Sequence, residues 1–512
     1  MSGNCVSPHV WQIRPWFLHP WAGLLVGVIG LGVESALGLK PAQAQISSYC
    51  QQSAAAIAQK DLLRQAAATG DPSAEVQYRA LVANHAEMLR RCRAQVWPQN
   101  TATWLRLYAC DTKPGVLESV LDRIVDRGYN QVYIETFYHG RALLPAANNP
   151  TVWPSQINTP GLEQADLLAT VIRKGHERGL KVYAWLFTMN FGYPYSQRPD
   201  RQAALARNGL SQDSLMATSD LTIDVGAGES DATFIDPYNS LAQQDYRQLV
   251  AAIAQRRPDG VLFDYIRYPK GAGGASVARR VQDLWIYGEA SQMALLQRAL
   301  NHKGQELIQQ FLSKGYITAA DLALVDKHYP QEAEPLWQGR VPNTKGTLPL
   351  EQRRIQLQFD LWQLSLAHAM QGIVDFLSLA ALPAQRQGIP VGAVFFPGGN
   401  QSIGQGYDSR LQPWDRFPKG IEWHPMVYST CGEDTRCLVD ELNRVIQQAS
   451  PGTQVQPALA GIWQQSIRDH LPLEIQMQAI RQVAPQINSV SHFAYSWQEP
   501  KSDSDRRSCR VP

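Results

Sequence analysis

From residue 104 to residue 495 the chain alternates short apolar runs, rich in β-branched and aromatic residues, with amphipathic stretches of helical period. That alternation predicts βα units around a parallel sheet, because parallel neighbours need a crossover long enough to hold a helix. Eight runs occur, at residues 104–110, 131–137, 181–187, 260–265, 391–396, 421–428, 455–459 and 490–495. Stretches between them, such as 114–127, 162–178 and 241–257, have helical length. Eight units close a ring, so the expected fold is an α/β (β/α)₈ TIM barrel over residues 101–500.

Two connections are longer than barrels require. Residues 188–240 follow the third run, and residues 270–350 follow the fourth as an insertion with helical pieces of its own. Both leave the ends of strands at the face where such barrels carry their sites, so the insertion is expected to wall a substrate groove. Ahead of the barrel, residues 45–100 read as a helical hairpin, broken at Thr69-Gly70-Asp71-Pro72 by a stop, a cap and a first-turn proline. Residues 501–512 read as a polar, flexible tail.

The first 44 residues read as an export leader: Arg14, an apolar stretch over 21–33, then Ala42-Gln43-Ala44 as a small-x-small cleavage site. Cleavage would start the mature chain at Gln45, in the periplasm or outside the cell. The leader's stretch falls short of a spanning helix, and no later segment reads as apolar enough to span, so no membrane insertion is expected after cleavage. Removing the leader removes Cys5 and leaves six cysteines, an even number that suits disulfides in an exported chain. Six allow 15 connectivities. The hairpin's open end would bring Cys50 beside Cys92. The barrel seam would bring Cys110 within reach of Cys509, and Cys431 would then close a short loop with Cys437. No zinc-type spacing accompanies these cysteines, so neither a metal nor a cofactor is expected. Formal charge is +2, without a basic stripe, which argues against a nucleic-acid partner. Nothing in the sequence reads on the oligomeric state.

The sharpest motif is Asp259-Gly260-Val261-Leu262-Phe263-Asp264-Tyr265-Ile266-Arg267-Tyr268-Pro269, a buried strand ending in a carboxylate at the barrel mouth. With Phe234-Ile235-Asp236-Pro237-Tyr238-Asn239, Trp104-Leu105-Arg106, Ala184-Trp185-Leu186, Pro425-Met426-Val427-Tyr428, Gly461-Ile462 and Phe493-Ala494-Tyr495-Ser496-Trp497, it resembles the glycosyl-hydrolase-like family 10 over residues 104–498. The resemblance implies a carbohydrate-cleaving barrel related to α-amylase-type enzymes, with relatives associated with peptidoglycan glycan strands. This chain departs from the pattern where many relatives carry two consecutive acids, because Tyr265 follows Asp264, and Met426 replaces a frequent amide.

Glycoside hydrolysis ordinarily uses two carboxyl groups flanking the bond. Asp264 is the expected central carboxylate and Glu135 the second catalytic candidate. Asp111, Asp236 and Glu499 also fall at or after strand ends and are expected at the substrate, Asp236 on the strength of the resemblance over its reading as a turn residue. Glu422 opens its strand and belongs to the opposite face, and the seventh run has no acid. Trp185, Tyr428 and Trp497 are expected to stack on sugar rings, with Arg267 and His139 beside them, whereas His424 reads as a core residue. Two functions follow: a glycoside hydrolase acting on an envelope polysaccharide, or a barrel that binds polysaccharide without cleaving it.

Overall fold

The computed structural model describes residues 49–219, 231–342 and 348–510. The expected leader and its cleavage site lie outside the described residues. Eight parallel strands form the barrel: β1 (Asn100–Leu105), β2 (Gln131–Tyr138), β3 (Lys181–Phe187), β4 (Gly260–Asp264), β5 (Val391–Phe395), β6 (Glu422–Pro425), β7 (Ala458–Ala460) and β8 (Ser489–Phe493). Neighbours run β6-β5-β4-β3-β2-β1-β8-β7. Parallel bridges from Trp423 to Val455 and from Met426 to Ala458 join β6 to β7 and close the ring.

Inward positions recur every second residue, so Tyr183, Trp185 and Phe187 share one face of β3. Their rings meet others across the interior: Tyr133 to Tyr183 at 5.3 Å, Trp104 to Trp185 at 4.8 Å and Tyr133 to His424 at 5.6 Å between centroids. Two glycines make room for this filling. A Cβ on Gly260 would stand 2.1 Å from the Tyr183 ring, and one on Gly392 would stand 2.8 Å from His424 Nε2.

Helices of eight residues or more surround the strands: α1 (Ala54–Ala68), α2 (Pro72–Gln95), α3 (Val116–Asp126), α4 (Leu167–His176), α5 (Ser240–Ala254), α6 (Glu289–Leu296), α7 (His302–Lys314), α8 (Ala319–His328), α9 (Leu350–Gln385), α10 (Arg436–Gln448), α11 (Leu473–Val483) and α12 (Pro500–Arg507). The hairpin is α1 and α2. Gly70 takes φ 96° at the turn, and Asp71 caps α2 by accepting the amides of Ser73 and Ala74. It docks through charge. Lys60 reaches Asp126, while Arg64 and Tyr78 reach Asp122, which Arg178 also grips at 2.9 Å.

The insertion is knitted into the barrel. Val277–Ala278 pairs antiparallel with Gly406–Asp408 from the β5–β6 connection, which in turn pairs with Ser402–Ile403. Leu295, Leu307, Ile308 and Phe311 belong to the same apolar core as the strands.

Three expectations need correction. The first strand spans Asn100–Leu105 and not 104–110: Asp111 Oδ2 accepts the Tyr108 amide at 2.8 Å and turns the chain into a short 3₁₀ helix, Ala109–Thr112, despite its apolar residues. Among the described residues one later helix, α9, is long and apolar enough to cross a membrane, and 67% of its apolar window is buried in the fold. The tail is not a flexible end either. It forms α12 because Arg506, 1% exposed, grips both oxygens of Asp111 at 2.7 and 2.8 Å between the rings of Tyr108 and Tyr495. The cysteines pair as Cys50–Cys92, Cys110–Cys509 and Cys431–Cys437.

Removing one partner of a buried ion pair leaves an uncompensated charge, so Asp111→Ala should lower the unfolding free energy by about 3–5 kcal/mol in a urea titration. The exposed Lys501→Ala should stay within about 0.5 kcal/mol of the parent. Equal, small effects from both would show that the tail adds nothing to the fold.

Candidate active site at the barrel mouth

β4 ends on Asp264, two residues beyond Leu262, so its side chain follows the inward face to the rim. The carboxylate is 6% exposed and is aimed by its neighbours. Trp185 Nε1 donates to Oδ2 at 3.0 Å, and the Tyr265 amide donates to Oδ1 at 2.6 Å. Tyr265 sits in left-handed backbone at φ 52°, a costly conformation for an aromatic residue. Its ring is held by stacking on Phe187 at 4.1 Å, with the Arg267 guanidinium 4.4 Å over it. Arg267 Nη1 donates to the Tyr268 carbonyl, and the guanidinium also lies over Phe396.

Across the mouth stands Tyr428. Burial, reinforced by the negative charge of Asp264, pushes its phenol well above the usual range, so the hydroxyl stays neutral. That oxygen is shielded from solvent and has no hydrogen-bond partner. Phe493 lies 6.1 Å from the Tyr428 ring and 6.0 Å from Trp497, and Arg468 covers Trp497 at 4.9 Å. Together these rings form a cluster that meets Trp185, the residue bonded to Asp264, through Phe493 at 6.4 Å.

Glu135 is fully buried on β2, and Arg106 binds both of its oxygens, through Nε and through Nη2, the latter at 2.9 Å. Burial raises the Glu135 carboxyl, and the guanidinium pulls it back down. Arg106 itself lies 4.4 Å over the Tyr138 ring with its side chain 37% exposed. Position on a strand marked Glu135, and the arginine it serves was visible only as part of the Trp104-Leu105-Arg106 match. His139, partly exposed, pairs with Asp231 at 2.8 Å.

The remaining candidates are engaged by partners within the fold. Asp111 is consumed by Arg506, and Glu499 pairs with Arg123 on α3 and with Arg127 just after it. Asp236 is fully buried, accepting the amides of Tyr238 at 3.0 Å and Ser291 at 2.9 Å, so it ties the β3–β4 connection to the first turn of α6. Burial pushes its carboxyl up to about 6. Trp185, 6% exposed and packed against Trp104, aims Asp264 and offers no free face to a sugar. Among the described residues no group of three His, Cys, Asp or Glu side chains is arranged to hold a metal.

Residues 95–295 match the family model glycosyl hydrolase-like 10, the family read from the motifs. The match contains β1 to β4 and Asp264. No curated protein matches the chain. Solved structures that align include the glycoside hydrolase domain of PgaB (BpsB) from Bordetella bronchiseptica, at 14% identity and TM-score 0.46 over 80% of this chain and 98% of that one. Pneumococcal StrH aligns at 10% identity and TM-score 0.38 over 83% of each chain. Aspergillus fumigatus Ega3, in complex with galactosamine, aligns at 12% identity and TM-score 0.31 over 79% of this chain and 94% of that one.

Arg106→Gln would leave Glu135 buried without its counter-charge and drive the carboxyl further upward. A carboxyl whose folded pKa exceeds its unfolded value favours the fold while protonated, and the advantage is lost as pH rises through the folded pKa. The urea midpoint of Arg106→Gln should therefore fall more steeply than the parent's as pH rises above the ordinary carboxylate range. Parallel pH dependences would show that Arg106 does not pull the Glu135 carboxyl down.

Proposed function

We propose that this chain is an exported glycoside hydrolase acting on a polysaccharide of the bacterial envelope, with Asp264 as its central carboxylate. The observation that carries the reading is the environment of Asp264: a buried carboxylate at a strand end, aimed by Trp185 and the Tyr265 amide, with an unpartnered hydroxyl on Tyr428 in its field. Both aiming groups donate to the carboxylate, which suits a nucleophile or a base for water better than a proton donor. Tyr428 is the group to bind a sugar hydroxyl beside the reacting carbon, with Trp497 and Phe493 packing on ring faces. Arg106, held by Glu135, presents a fixed guanidinium to the same mouth. Export is supported by the three disulfides, which persist in oxidising compartments, and by the leader read from residues 1–44.

One observation favours a second reading, a barrel that binds polysaccharide without cleaving it. The ion pair to Arg106 removes Glu135 as a free second carboxyl group.

Asp264→Asn should lower turnover at least about a hundredfold, as expected for loss of an acid–base group, with an unchanged melting temperature. The measurement is mass analysis of fragments released from purified glycan strands by parent and variant. Near-normal release by the variant would remove Asp264 from the chemistry. Binding without release by either protein would establish the second reading.

A further inference from the structure

Three connections leave the neighbouring strands β3, β4 and β5 at their C-terminal ends and meet on the mouth side of the barrel. Residues between 208 and 212 come from the first, residues between 271 and 285 from the second and Ser409 from the third. Together they line a cavity of about 340 Å³, within the size range of small-molecule sites, and its lining does not include Asp264. Its walls are tied to one another. The Gly209 amide donates to the Gln282 carbonyl at 2.9 Å, and the Gly271 amide donates to Ser409 Oγ at 2.8 Å. Glycine permits the first approach, because a Cβ at 209 would stand 2.5 Å from the Gln282 Cα.

The chemistry of the cavity is neutral and rich in donors. Arg280 and Asp283 on its rim pair with each other at 2.9 Å, so their charges cancel. Trp285 is 6% exposed and belongs to the apolar core, yet its indole N–H donates to no group among the described residues. Nor is that nitrogen sealed in the fold: it stands at the surface of the cavity that the ring lines. A buried indole N–H ordinarily finds an acceptor, so one turned unpartnered to a cavity takes its acceptor from outside. Ser409, also buried, spends Oγ as the acceptor of the Gly271 amide and keeps its own proton to donate. The exposed Leu210 adds an apolar edge. Neutral donors beside an apolar edge match a sugar ring, which carries acceptor oxygens around apolar C–H faces.

We infer that this cavity binds an uncharged sugar residue, whose hydroxyl or acetamido oxygen accepts the Trp285 N–H. The inference rests on the reading of the barrel as one that handles a polysaccharide, and it adds a second hold on that polymer away from Asp264.

The test uses the full chain carrying Asp264→Asn, which keeps turnover out of the readout, and β-1,4-linked tetramers of N-acetylglucosamine and of glucose as probes. The Trp285 indole N–H resonance is identified by its loss in Trp285→Phe or, should that variant not fold, by its displacement in Ala275→Leu. It should move saturably with one or both tetramers. Ala275 is exposed, so Ala275→Leu fills the cavity from its rim without touching the core, and it should raise the half-saturating concentration about tenfold or more. Tighter binding of the acetylated tetramer assigns the contact to an acetamido group, and equal or tighter binding of the glucose tetramer assigns it to ring hydroxyls. A Trp285 resonance that neither tetramer moves, or that saturates equally in Ala275→Leu, overturns the site. Saturation here in a protein whose parent releases no fragments from glycan strands keeps this site and removes the hydrolase reading. Release of fragments by a parent whose Trp285 resonance stays still removes this site alone.

Discussion

The mouth is only as well ordered as the filling beneath it. A ring of eight strands is just wide enough for side chains to fill, and here much of the filling is aromatic rings meeting edge-on or tilted. Trp104 meets the edge of Trp185, and that contact sets where the indole nitrogen of Trp185 points. Asp264 is thus positioned by packing two layers down as much as by its own strand. The glycines at 260 and 392 belong to the same filling, since a methyl group at the first would push on Tyr183 and one at the second on Leu262 and His424.

Buried carboxylates in this chain sort by what pairs with them. Asp122 is shared by Arg64, Tyr78 and Arg178; Asp111 by Arg506 and a backbone amide; Glu135 by Arg106. Each pairing pins one element to another: the hairpin to α3 and α4, the tail to the β1 connection, and an arginine to the mouth. Asp264 is aimed by hydrogen bonds from an indole and from a backbone amide.

Much of this was legible in the sequence because periodicity and strand ends are local properties. β3 falls where its apolar run predicts, and Asp264 at the rim follows from counting along β4. What was hidden is long-range. Asp111 and Glu499 look like mouth residues when judged by their distance from a strand, yet Arg506 lies 395 residues away from Asp111, and Arg127 lies 372 residues from Glu499. Burial of Arg506 has no signature in a polar tail, so α12 read as a loose end. Trp185 falls on β3 as its run predicts, but its bond to Asp264 and its contact with Trp104 had no sequence signal, since period alone does not tell a ring that faces a ligand from one wedged between neighbours. The Tyr108 turn shows a limit of apolar runs: one side-chain acceptor bent the chain away from the sheet.

The bridge between Cys110 and Cys509 has a mechanical meaning. It joins the exit of the first strand to the stretch after the last, so β2 to β8 lie inside one covalent loop while β1, ahead of Cys110, lies outside it. Tension applied to the chain ahead of Cys110 and beyond Cys509 passes through β1 and the bridge and bypasses the other seven strands. A barrel wired in this way, tugged from its ends, loads only β1, which parallel ladders to β2 and β8 hold in place, while Asp264 on β4 stays off the line of force.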